Sequence, residues 1–386
     1  MIQPEYLVSV ERGKTLRERV LSCLEGLGGI RELVPPGKRV LVKPNLVIDR
    51  PHSSGAITNP ALLDVLLDEL QKTAPRELIV GEGSAAHYST ERAFRVSGVD
   101  RVAKKHGARL VNFQKDAYEE VPVPQGKELE RVEVARTVLE ADILVNVPVL
   151  KMHCQTRVTI GLKNLKGCIS DDEKRRFHRL DLDQCIADLN TVIPVHLVVV
   201  DATLCSFAWE CGGDAVRLDT VLAGTNPVAV DTAAAPLLGY HPGEIRHIAL
   251  SARHGLGPCD PEAVRVLHRE KLQEIALPEG VPCGVQGGVQ YRVPGLTVVE
   301  KGACTPCMAG LLAAMRRLDR EGVSLRGTVL LGQKLDRGDM ETAEREKGAT
   351  IGVGSCAAGL VGREKALIGC PPEGWQIYDL LKKSAH

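Results

Sequence analysis

Apolar segments that favour strands alternate with amphipathic segments that favour helices from Leu7 to His254. The strand-like segments include Arg39–Val47 and Glu77–Ser84. Between these two, Asn59 has the position of a helix N-cap and Pro60 that of a first helical residue,. Strands that alternate with helices indicate an α/β fold with mostly parallel sheets and flanking helices, and an arrangement in two lobes is an open alternative.

The composition changes between Pro282 and Pro294, where glycine is frequent and charged residues are few. A stretch of this kind favours a loop or a linker between domains. We therefore predict an α/β body over residues 1–290 and a small C-terminal, cysteine-rich, metal-binding module over residues 291–386,.

The charge balance and the composition exclude several classes of partner. Lysine and arginine together number 49, as do aspartate and glutamate, and aromatic residues make up 3% of the chain. Such a chain lacks the basic surface and the stacking platforms of a nucleic-acid-binding protein. No apolar run approaches the length of a membrane span, and the N-terminal residues lack the apolar core of a signal peptide,. We therefore expect a cytoplasmic protein with no nucleic-acid or membrane partner.

The C-terminal module contains four cysteines in a pattern typical of metal sites. Cys304 and Cys307 form a C-x-x-C pair, and Cys356 and Cys370 follow in glycine-bearing segments, the latter directly before a proline. A C-x-x-C pair places two thiolates on one turn, and four thiolates are the ligand set of a [4Fe–4S] cluster. Cysteines in the reducing cytoplasm favour such sites over disulfides. We predict a [4Fe–4S] cluster; a zinc ion on the same cysteines and unligated thiols are the alternatives.

A second group of polar residues lies in the stretch Asn146–Cys168. An apolar strand is followed by a polar segment that contains His153. From Val158 to Lys166 the apolar residues recur at helical spacing, which predicts an amphipathic helix with Lys163 on its polar face, and Gly167 is expected to end it,. Because α/β folds place ligands at the ends of strands, we expect a functional site here.

Two histidines and a lysine are the predicted catalytic residues. His87 follows the strand Glu77–Ser84, and His153 follows another strand, ten residues before Lys163. An imidazole gives or takes a proton near neutral pH, and a lysine beside it serves as a covalent anchor or an anion clamp. The residues predicted to bind the substrate are polar and lie at or near strand ends: Lys43, Asn45, Ser84, Asn164, Lys166 and Asp201.

The same region offers a second interpretation, an anion site. Lys43, Lys163, Lys166 and Arg157, together with the glycine-bearing loop Gly81–Ser84, are the residue types that hold a carboxylate or a phosphate,. The loop is too short for a dinucleotide-binding fingerprint, and the chain has no Walker motif,.

Several motifs resemble those of one known family and occur in the same order. They read VLVKPNLV, GEGS, NVPVLKMH, TIGLKNLKGC, VVDAT and LAGTNPVAVDTAA, and they extend from about Arg39 to Gly257. In these motifs the chain is similar to a widespread family known as domain of unknown function three-six-two, which is often fused to iron–sulfur modules. The resemblance implies an iron–sulfur module and no particular activity.

A second stretch is similar to the front of the nickel-pincer lactate racemase family. It reads TNPALLDVLLDEL, followed by ELIVGEGSAAHYSTERAF. This resemblance implies that His87 and His153 form the acid/base pair, that Lys163 tethers the pincer cofactor and that His178 is a nickel ligand. Asn59 stands where that family has an arginine.

The leading hypothesis is a cytoplasmic iron–sulfur oxidoreductase of anaerobic metabolism that acts on a small anionic substrate. Electrons would pass between the cluster and a pocket lined by Lys43, His87, His153 and Lys163. One alternative is a racemase-like isomerase with a nickel cofactor on Lys163 and a structural cysteine site; the other is an electron carrier or metal-delivery protein. The expected partners are a small anionic molecule and an electron-transfer protein, with a second copy of the chain left open.

Overall fold

The computed structural model describes residues 6–207, 210–212, 215–273, 293–346 and 348–384. The chain divides into two compact units. The first comprises Met1–Lys174 and Leu182–Gly288, and the second comprises Arg175–Asp181 and Val289–His386. The predicted boundary at residues 290 and 291, and most of the segment on which that prediction rests, lie outside the described residues.

The strands are numbered in chain order. They are β1 (Leu7–Arg12), β2 (Arg39–Pro44), β3 (Glu77–Glu82), β4 (Arg109–Asn112), β5 (Tyr118–Pro122), β6 (Arg131–Ala135), β7 (Ile143–Val147), β8 (Lys151–His153), β9 (Arg157–Thr159), β10 (Leu197–Ser206), β11 (Ala215–Gly224), β12 (Arg265–Leu267), β13 (Leu296–Glu300), β14 (Gly327–Leu331), β15 (Ala349–Val353) and β16 (Ala366–Leu367).

Eight of these strands form the main sheet of the first unit, in the order β12-β1-β11-β10-β7-β2-β3-β4. β11 is antiparallel to both of its neighbours, whereas the other neighbouring strands run parallel. The short pairs β5–β6 and β8–β9 are antiparallel. The predicted α/β class is confirmed, with a main sheet that is mixed but mostly parallel.

The central strands of this sheet are buried almost from end to end, as β2, β7 and β10 show. Such burial is expected for parallel strands in the interior of a sheet. Polar side chains are costly in this environment unless they find partners. Those of Lys43 in β2, Asn146 in β7 and Asp201 in β10 are each completely buried, so their contacts define how this part of the molecule is organised.

The helices are likewise numbered in chain order. They are α1 (Leu16–Gly26), α2 (Ile30–Leu33), α3 (Pro60–Gln71), α4 (Thr90–Ser97), α5 (Val99–Lys105), α6 (Arg136–Leu139), α7 (Gly161–Asn164), α8 (Asp171–Arg179), α9 (Leu182–Asn190), α10 (Pro227–Ala234), α11 (Arg246–Arg253), α12 (Glu270–Gln273), α13 (Thr305–Arg320), α14 (Arg337–Arg345), α15 (Ser355–Val361) and α16 (Gly374–Lys383). Within the described part of the chain, no helix combines the length and the hydropathy that crossing a bilayer requires.

Two helix starts show how local sequence sets the elements. At α3, the Asn59 side chain accepts a hydrogen bond from the backbone N of Ala61 at 3.0 Å, and Pro60 is the first helical residue, as predicted. At α1, Thr15 and Glu18 form a capping box. Both arrangements satisfy backbone N–H groups that would otherwise lack partners.

The predicted helix from Val158 to Lys166 is wrong in its first part. Val158 lies in β9, which pairs with β8 in a tight hairpin, and α7 begins at Gly161. The segment Arg157–Ile160 is rich in β-branched residues, which favour a strand over a helix once a partner strand is available,.

The second unit contains a parallel sheet of four strands, in the order β13-β14-β15-β16. Its core includes Leu311 and Leu318 of α13, Val329 of β14, and Ile377 and Leu381 of α16. The spacing of the apolar residues in the two helices places them on one face of each helix. These faces pack into the same core, so the unit has an apolar interior of its own.

Candidate functional site

The register of the main sheet brings two polar residues side by side. β2 and β7 are parallel neighbours, and Lys43 in β2 lies opposite Asn146 in β7. A buried lysine needs acceptors for its three N–H donors. The partners of Lys43 therefore identify the residues that meet at the carboxyl ends of these strands.

Lys43 forms a buried ion pair with Glu82, the last residue of β3. Its Nζ atom lies 2.9 Å from Glu82 Oε2 and donates as well to Asn164 Oδ1 (3.2 Å) and to the carbonyl oxygen of Pro44 (3.1 Å). The side chains of Lys43 and Glu82 are 0% and 3% exposed. All three N–H donors of the Lys43 ammonium thus have acceptors within the chain. Lys43 was predicted to bind the substrate; in this structure its contacts hold neighbouring side chains in position.

The loop Gly81–Ser84, predicted to hold an anion, is occupied by its own glutamate. Besides Lys43, Glu82 binds the backbone N of Gly83, at 2.7 Å. Gly167 packs against the ion pair: a Cβ atom there would lie 2.7 Å from Lys43 Nζ and still closer to Glu82 Oε1. Gly167, which was predicted to end a helix, lies in the helical turn Leu165–Cys168, and its lack of a side chain leaves room for the buried pair.

Three asparagines continue the hydrogen-bond network from Lys43 to Lys151. Asn164 Oδ1 accepts from Asn45 Nδ2, and Asn164 Nδ2 donates to Asn146 Oδ1, both at 2.7 Å. Asn45 Oδ1 accepts from Lys151 Nζ at 2.9 Å. The predicted residues Asn45 and Asn164 therefore lie together and orient each other. We call the following side chains the Lys43 network: Lys43, Glu82, Asn45, Asn146 and Asn164.

Lys151 in β8 is buried without a carboxylate partner among the described residues. Its Nζ atom donates to Asn45 Oδ1 at 2.9 Å and to the carbonyl oxygen of Ala56 at 2.5 Å. Burial lowers the pKa of Lys151 to about 7,. Two acceptors match the two N–H donors of a neutral amine, so the geometry agrees with an amine that loses its extra proton near neutral pH.

The hairpin of β8 and β9 fixes the orientation of His153. Its Nδ1 atom accepts hydrogen bonds from the backbone N of Gln155 (3.1 Å) and of Thr156 (3.3 Å). A ring nitrogen that accepts carries no proton, so the neutral ring holds its proton on Nε2. Nε2 lies 3.8 Å from Glu210 Oε1, and both side chains are 1% exposed. His153 therefore directs its proton towards a buried carboxylate.

Glu210 also binds both polar groups of Cys154. The Cys154 thiol lies 3.3 Å from Glu210 Oε1, and the backbone N of Cys154 lies 3.2 Å from Oε2. Burial, and then the charge of Glu210, raise the pKa of Cys154 well above its ordinary value,. The thiol is therefore held in its protonated form, as a donor to the carboxylate.

Lys163 extends from α7 into the same group of side chains. It is 8% exposed, and burial lowers its pKa while the charge of Glu210 acts in the opposite direction. Its Nζ atom forms neither a hydrogen bond nor an ion pair with any residue that the structure describes. Lys151 also interacts electrostatically with Glu210. We call the following residues the Glu210 cluster: Lys151, His153, Cys154, Lys163 and Glu210.

Asp231 of α10 holds the first turn of α7. Its two carboxylate oxygens accept hydrogen bonds from the backbone N of Gly161 (2.7 Å) and of Leu162 (3.1 Å). Burial raises the pKa of Asp231 to about 8, and the two N–H groups oppose that rise,. A Cβ atom at position 161 would lie 2.9 Å from Asp231 Oδ1. Gly161 and Asp231 thus set the position of Lys163, two residues further on.

Three members of the Glu210 cluster lie close enough together to share a metal ion. The ligand atoms of His153, Cys154 and Glu210 are all within 4.8 Å of one another. Imidazole, thiolate and carboxylate are a ligand set that suits zinc. His153 Nδ1 accepts two hydrogen bonds, so the proton of the neutral ring is on Nε2,. A metal ion bound at Nε2 would have to replace this proton. The arrangement therefore matches a proton relay better than a metal site.

The other predicted residues take different positions. Ser84 Oγ donates to the carbonyl oxygen of Leu46, and Asp201 accepts from the backbone N of Asn59, both at 2.7 Å, so these two side chains fix backbone from other parts of the chain. His87 is exposed and has a positive φ of 81°, and Lys166 is half-buried. His178, which the racemase resemblance marks as a nickel ligand, lies in a segment of the second unit.

Four residues that organise this region are not among the predicted catalytic or substrate-binding residues. They are Glu82, Lys151, Glu210 and Asp231. All four are charged residues in or beside apolar segments, and that is the signal that could have found them. A charged side chain in a buried segment requires a partner of opposite charge or a function.

In the second unit, the four predicted metal ligands line one small cavity of about 20 Å³. Cys304 is the N-cap of α13 and Cys307 lies in its first turn, Cys356 lies at the start of α15, and Cys370 follows β16. Cys307 is buried and Cys304 half-buried, whereas Cys356 and Cys370 are exposed. Three separate segments of the chain thus bring their cysteines to one place.

The four thiols affect one another's protonation. The hydrogen bond that the Cys307 thiol donates to Cys304, then burial, then the charges of Cys304, Cys370 and Cys356 raise the pKa of Cys307. Gly354, with a φ of 90°, lines the same cavity, and a Cβ atom there would lie 3.4 Å from Cys307 Sγ. Because their negative charges would repel one another, four neighbouring thiols do not all lose their protons unless a cation neutralises the thiolates.

The family of the chain follows from a comparison with family models. Residues 40–236 match the model described as "Domain of unknown function (DUF362)". The match spans more than half of the chain, and the chain belongs to this family. It includes Lys43, Glu82, the hairpin of β8 and β9, Lys163, Glu210 and Asp231, so both the Lys43 network and the Glu210 cluster lie within the family's domain.

Individual relatives are more distant. The chain is similar to the thylakoid-associated protein sll1697 of Synechocystis sp., with 25% identity over 285 residues, 70% of this chain and 87% of that protein. Among solved structures, it is similar to the lactate racemase apoprotein from Thermoanaerobacterium thermosaccharolyticum (15% identity, TM-score 0.41, covering 97% of this chain and 81% of that chain). A protein from Thermotoga maritima is similar at 14% identity and a TM-score of 0.42, covering 83% and 71%. With TM-scores this low, neither structural likeness carries an argument about the site.

Proposed function

We propose that the chain is an iron–sulfur protein that works as a redox enzyme on a small anionic substrate. The cluster would be held by Cys304, Cys307, Cys356 and Cys370, and the substrate would bind at the Glu210 cluster. The observation that carries the proposal is the convergence of four cysteines from three segments on one cavity. Four thiolates around one space are the ligand set of a [4Fe–4S] cluster.

The pattern of the cysteines supports a cluster over a single zinc ion. A structural zinc site with four thiolates usually combines two C-x-x-C pairs. Here Cys304 and Cys307 form such a pair, whereas Cys356 and Cys370 are separate in the sequence. A cluster needs four thiolates, which can come from separate segments of the chain. When bound, the cluster would supply one-electron transfer, and the chain would supply the thiolates and a cavity wall of glycine backbone.

The charges of the Glu210 cluster support an anionic substrate. Two lysines, Lys151 and Lys163, both interact electrostatically with Glu210. Each of these amines that is protonated favours a negative charge on the substrate. His153 offers a proton on Nε2 to a group that takes up electrons,.

The thiols also support the proposed cytoplasmic location. The described cysteines carry no disulfide, and reduced cysteines are typical of the cytoplasm. Fractionation of the native host, with the protein detected by antibody, tests this part; recovery in an oxidising compartment would contradict it.

The iron content of cysteine variants tests the main proposal. Protein purified without oxygen should contain iron and absorb broadly in the visible range, and Cys307→Ser or Cys356→Ser should remove most of both. Cys259, a half-buried cysteine of the first unit, provides the matched control, and Cys259→Ser should leave both unchanged. Zinc in place of iron, lost in the same two variants, would overturn the redox proposal, as would iron that neither variant removes.

One observation favours a second candidate, a racemase-like isomerase. Lys163 is a buried amine with no hydrogen bond or ion pair among the described residues, and the resemblance to nickel-pincer lactate racemases marks it as the tether of the cofactor. One nickel ion per chain, together with a covalent adduct on Lys163, would support this candidate. If the chain is instead an electron carrier, the Lys163→Ala variant should transfer electrons to its partner protein as fast as the natural protein does.

A further inference from the structure

Lys163 differs from the other buried lysines of the first unit in that it has no hydrogen-bond or ion-pair partner among the residues that the structure describes. It is 8% exposed, and no described residue lies within hydrogen-bond or ion-pair distance of its Nζ atom. Lys43 is buried to a similar degree but is paired with Glu82, and Lys174 is paired with Asp171, each at 2.9 Å. Burying an amine without a partner is costly. The position of Lys163 therefore points to a role in binding or reaction.

The surroundings of Lys163 favour a neutral amine. The Glu210 cluster contains two amines and one carboxylate. If both amines were protonated, the single negative charge of Glu210 would balance one positive charge and leave the other unbalanced. Asp183 also acts on Lys163, but it is hydrogen-bonded to His247 at 3.0 Å. Burial lowers the pKa of Lys163, in agreement with this count of charges.

Of the two amines, Lys163 is the one that can react. Lys151 is 1% exposed, and its Nζ atom is held by two acceptors, Asn45 Oδ1 and the carbonyl oxygen of Ala56. Lys163 is more accessible and breaks no hydrogen bond to a described residue when it moves towards a ligand.

We propose that Lys163 is an imine-forming lysine, whose Nζ atom attacks the carbonyl carbon of a small substrate while Glu210 takes up the proton. A desolvated lysine beside a second amine is the arrangement that activates lysine for this reaction. The inference rests on the proposed function in placing the substrate at the Glu210 cluster, and it adds the chemical class of that substrate, a carbonyl compound.

The reaction balances without a redox partner. The neutral Nζ atom of Lys163 forms a bond to the carbonyl carbon. Glu210 takes one proton from Nζ and returns it to the carbonyl oxygen, which gives a carbinolamine. The C–O bond then breaks while Glu210 takes the second Nζ proton and returns it to the departing oxygen, so that water leaves. The product is an imine on Nζ, and Glu210 ends as the carboxylate with which it began. Cys154, whose thiol donates to Glu210 Oε1 at 3.3 Å, keeps the carboxylate in place.

Reductive trapping tests the proposal. The full-length protein is incubated at pH 7 with glyoxylate and sodium cyanoborohydride, which reduces an imine to a stable secondary amine, and peptide mass spectrometry locates the added mass. Lys163 should be labelled roughly tenfold faster than Lys104, an exposed lysine of the same unit, because a lowered pKa leaves more neutral amine at pH 7,. A merely structural lysine would react more slowly than Lys104, since it is buried. In urea the two should react at similar rates.

A variant of the proton acceptor separates reactivity from folding. Glu210→Gln removes a charge that raises the pKa of Lys163, so it leaves at least as much neutral amine. Labelling of Lys163 should nevertheless slow roughly tenfold, as expected on loss of a general base, and Lys104 should be unchanged, with circular dichroism as the check on the fold. Slower labelling of Lys163 than of Lys104 in the native protein, or labelling of Lys151 in its place, would overturn the proposal. An adduct already present on Lys163 after purification would also overturn it, in favour of a tethered cofactor. Failure of trapping with the iron content intact leaves the cluster proposal standing, so the two outcomes are distinguishable.

Discussion

Lys43 and Glu82, which lie 39 residues apart in the sequence, form an ion pair that is almost completely buried at the ends of two neighbouring strands. Removing one partner of such a pair leaves an uncompensated buried charge. We expect Lys43→Met to lower the free energy of unfolding by about 3–5 kcal/mol, measured by urea denaturation. Lys115→Met, which removes an exposed ion pair with Glu91, should cost about 1 kcal/mol or less,.

A double variant distinguishes the charge from the packing. In Lys43→Met/Glu82→Gln the unpaired charge is gone, so much of the stability lost in the single variant should return. If the double variant is as unstable as the sum of the two single variants, the two side chains are not coupled, and the assignment of Lys43 as a supporting residue is wrong.

Gly167 is predicted to tolerate no side chain. A Cβ atom at this position would lie 2.7 Å from Lys43 Nζ, within the buried pair. We therefore expect Gly167→Ala to destabilise the chain by about 1–3 kcal/mol. Gly359 in α15 has open space around the same atom, and Gly359→Ala should be neutral or stabilising by up to about 1 kcal/mol. Equal thermal shifts for the two variants would contradict this prediction.

The lowered pKa of Lys151 predicts a dependence of stability on pH. Burial lowers it from 10.5 to about 7, so between these values the unfolded chain holds a proton that the folded chain lacks,. The free energy of unfolding should therefore rise with pH in this window, by at most about 1.4 kcal/mol per pH unit from this group. Lys151→Met should remove that rise, which urea denaturation at pH 7, 8 and 9 would measure. Parallel slopes for the two proteins would mean that Lys151 keeps its ordinary pKa.

The contact between Cys154 and Glu210 predicts a change in thiol reactivity. The charge of Glu210 contributes to the raised pKa of Cys154. Glu210→Gln should therefore allow alkylation of Cys154 by iodoacetamide at a lower pH than in the natural protein. Cys168, whose pKa burial raises to about 12 without a contribution from Glu210, is the internal control and should not change. A pH profile of Cys154 that is the same in both proteins would refute the contact.

Local signals in the sequence predicted much of the fold. The cap at Asn59 and the apolar runs of β2 and β3 act over a few residues, so they can be read without knowledge of the rest of the chain,. The antiparallel direction of β11 could not be read in this way. Leu222 lies opposite both Val10 and Val200, residues from distant parts of the chain, and only the folded sheet brings them together.

The same distinction holds for the site. His153 and Lys163 could be singled out because they follow an apolar strand, but their surroundings could not. Cys154 and Glu210 are 56 residues apart in the sequence, and the acidic partner of a buried group is defined by tertiary contact. The prediction that Val158 begins a helix failed for a related reason, because pairing with β8 outweighs the helical spacing of the apolar residues,.

The central claim is that Cys304, Cys307, Cys356 and Cys370 hold an iron–sulfur cluster. The most direct test is to measure iron and acid-labile sulfide in protein purified without oxygen, and then to record electron paramagnetic resonance before and after reduction by dithionite. A [4Fe–4S] cluster on these cysteines should give about four iron and four sulfide per chain, with a paramagnetic signal that depends on reduction. Stoichiometric zinc without sulfide, and no signal in either state, would contradict it.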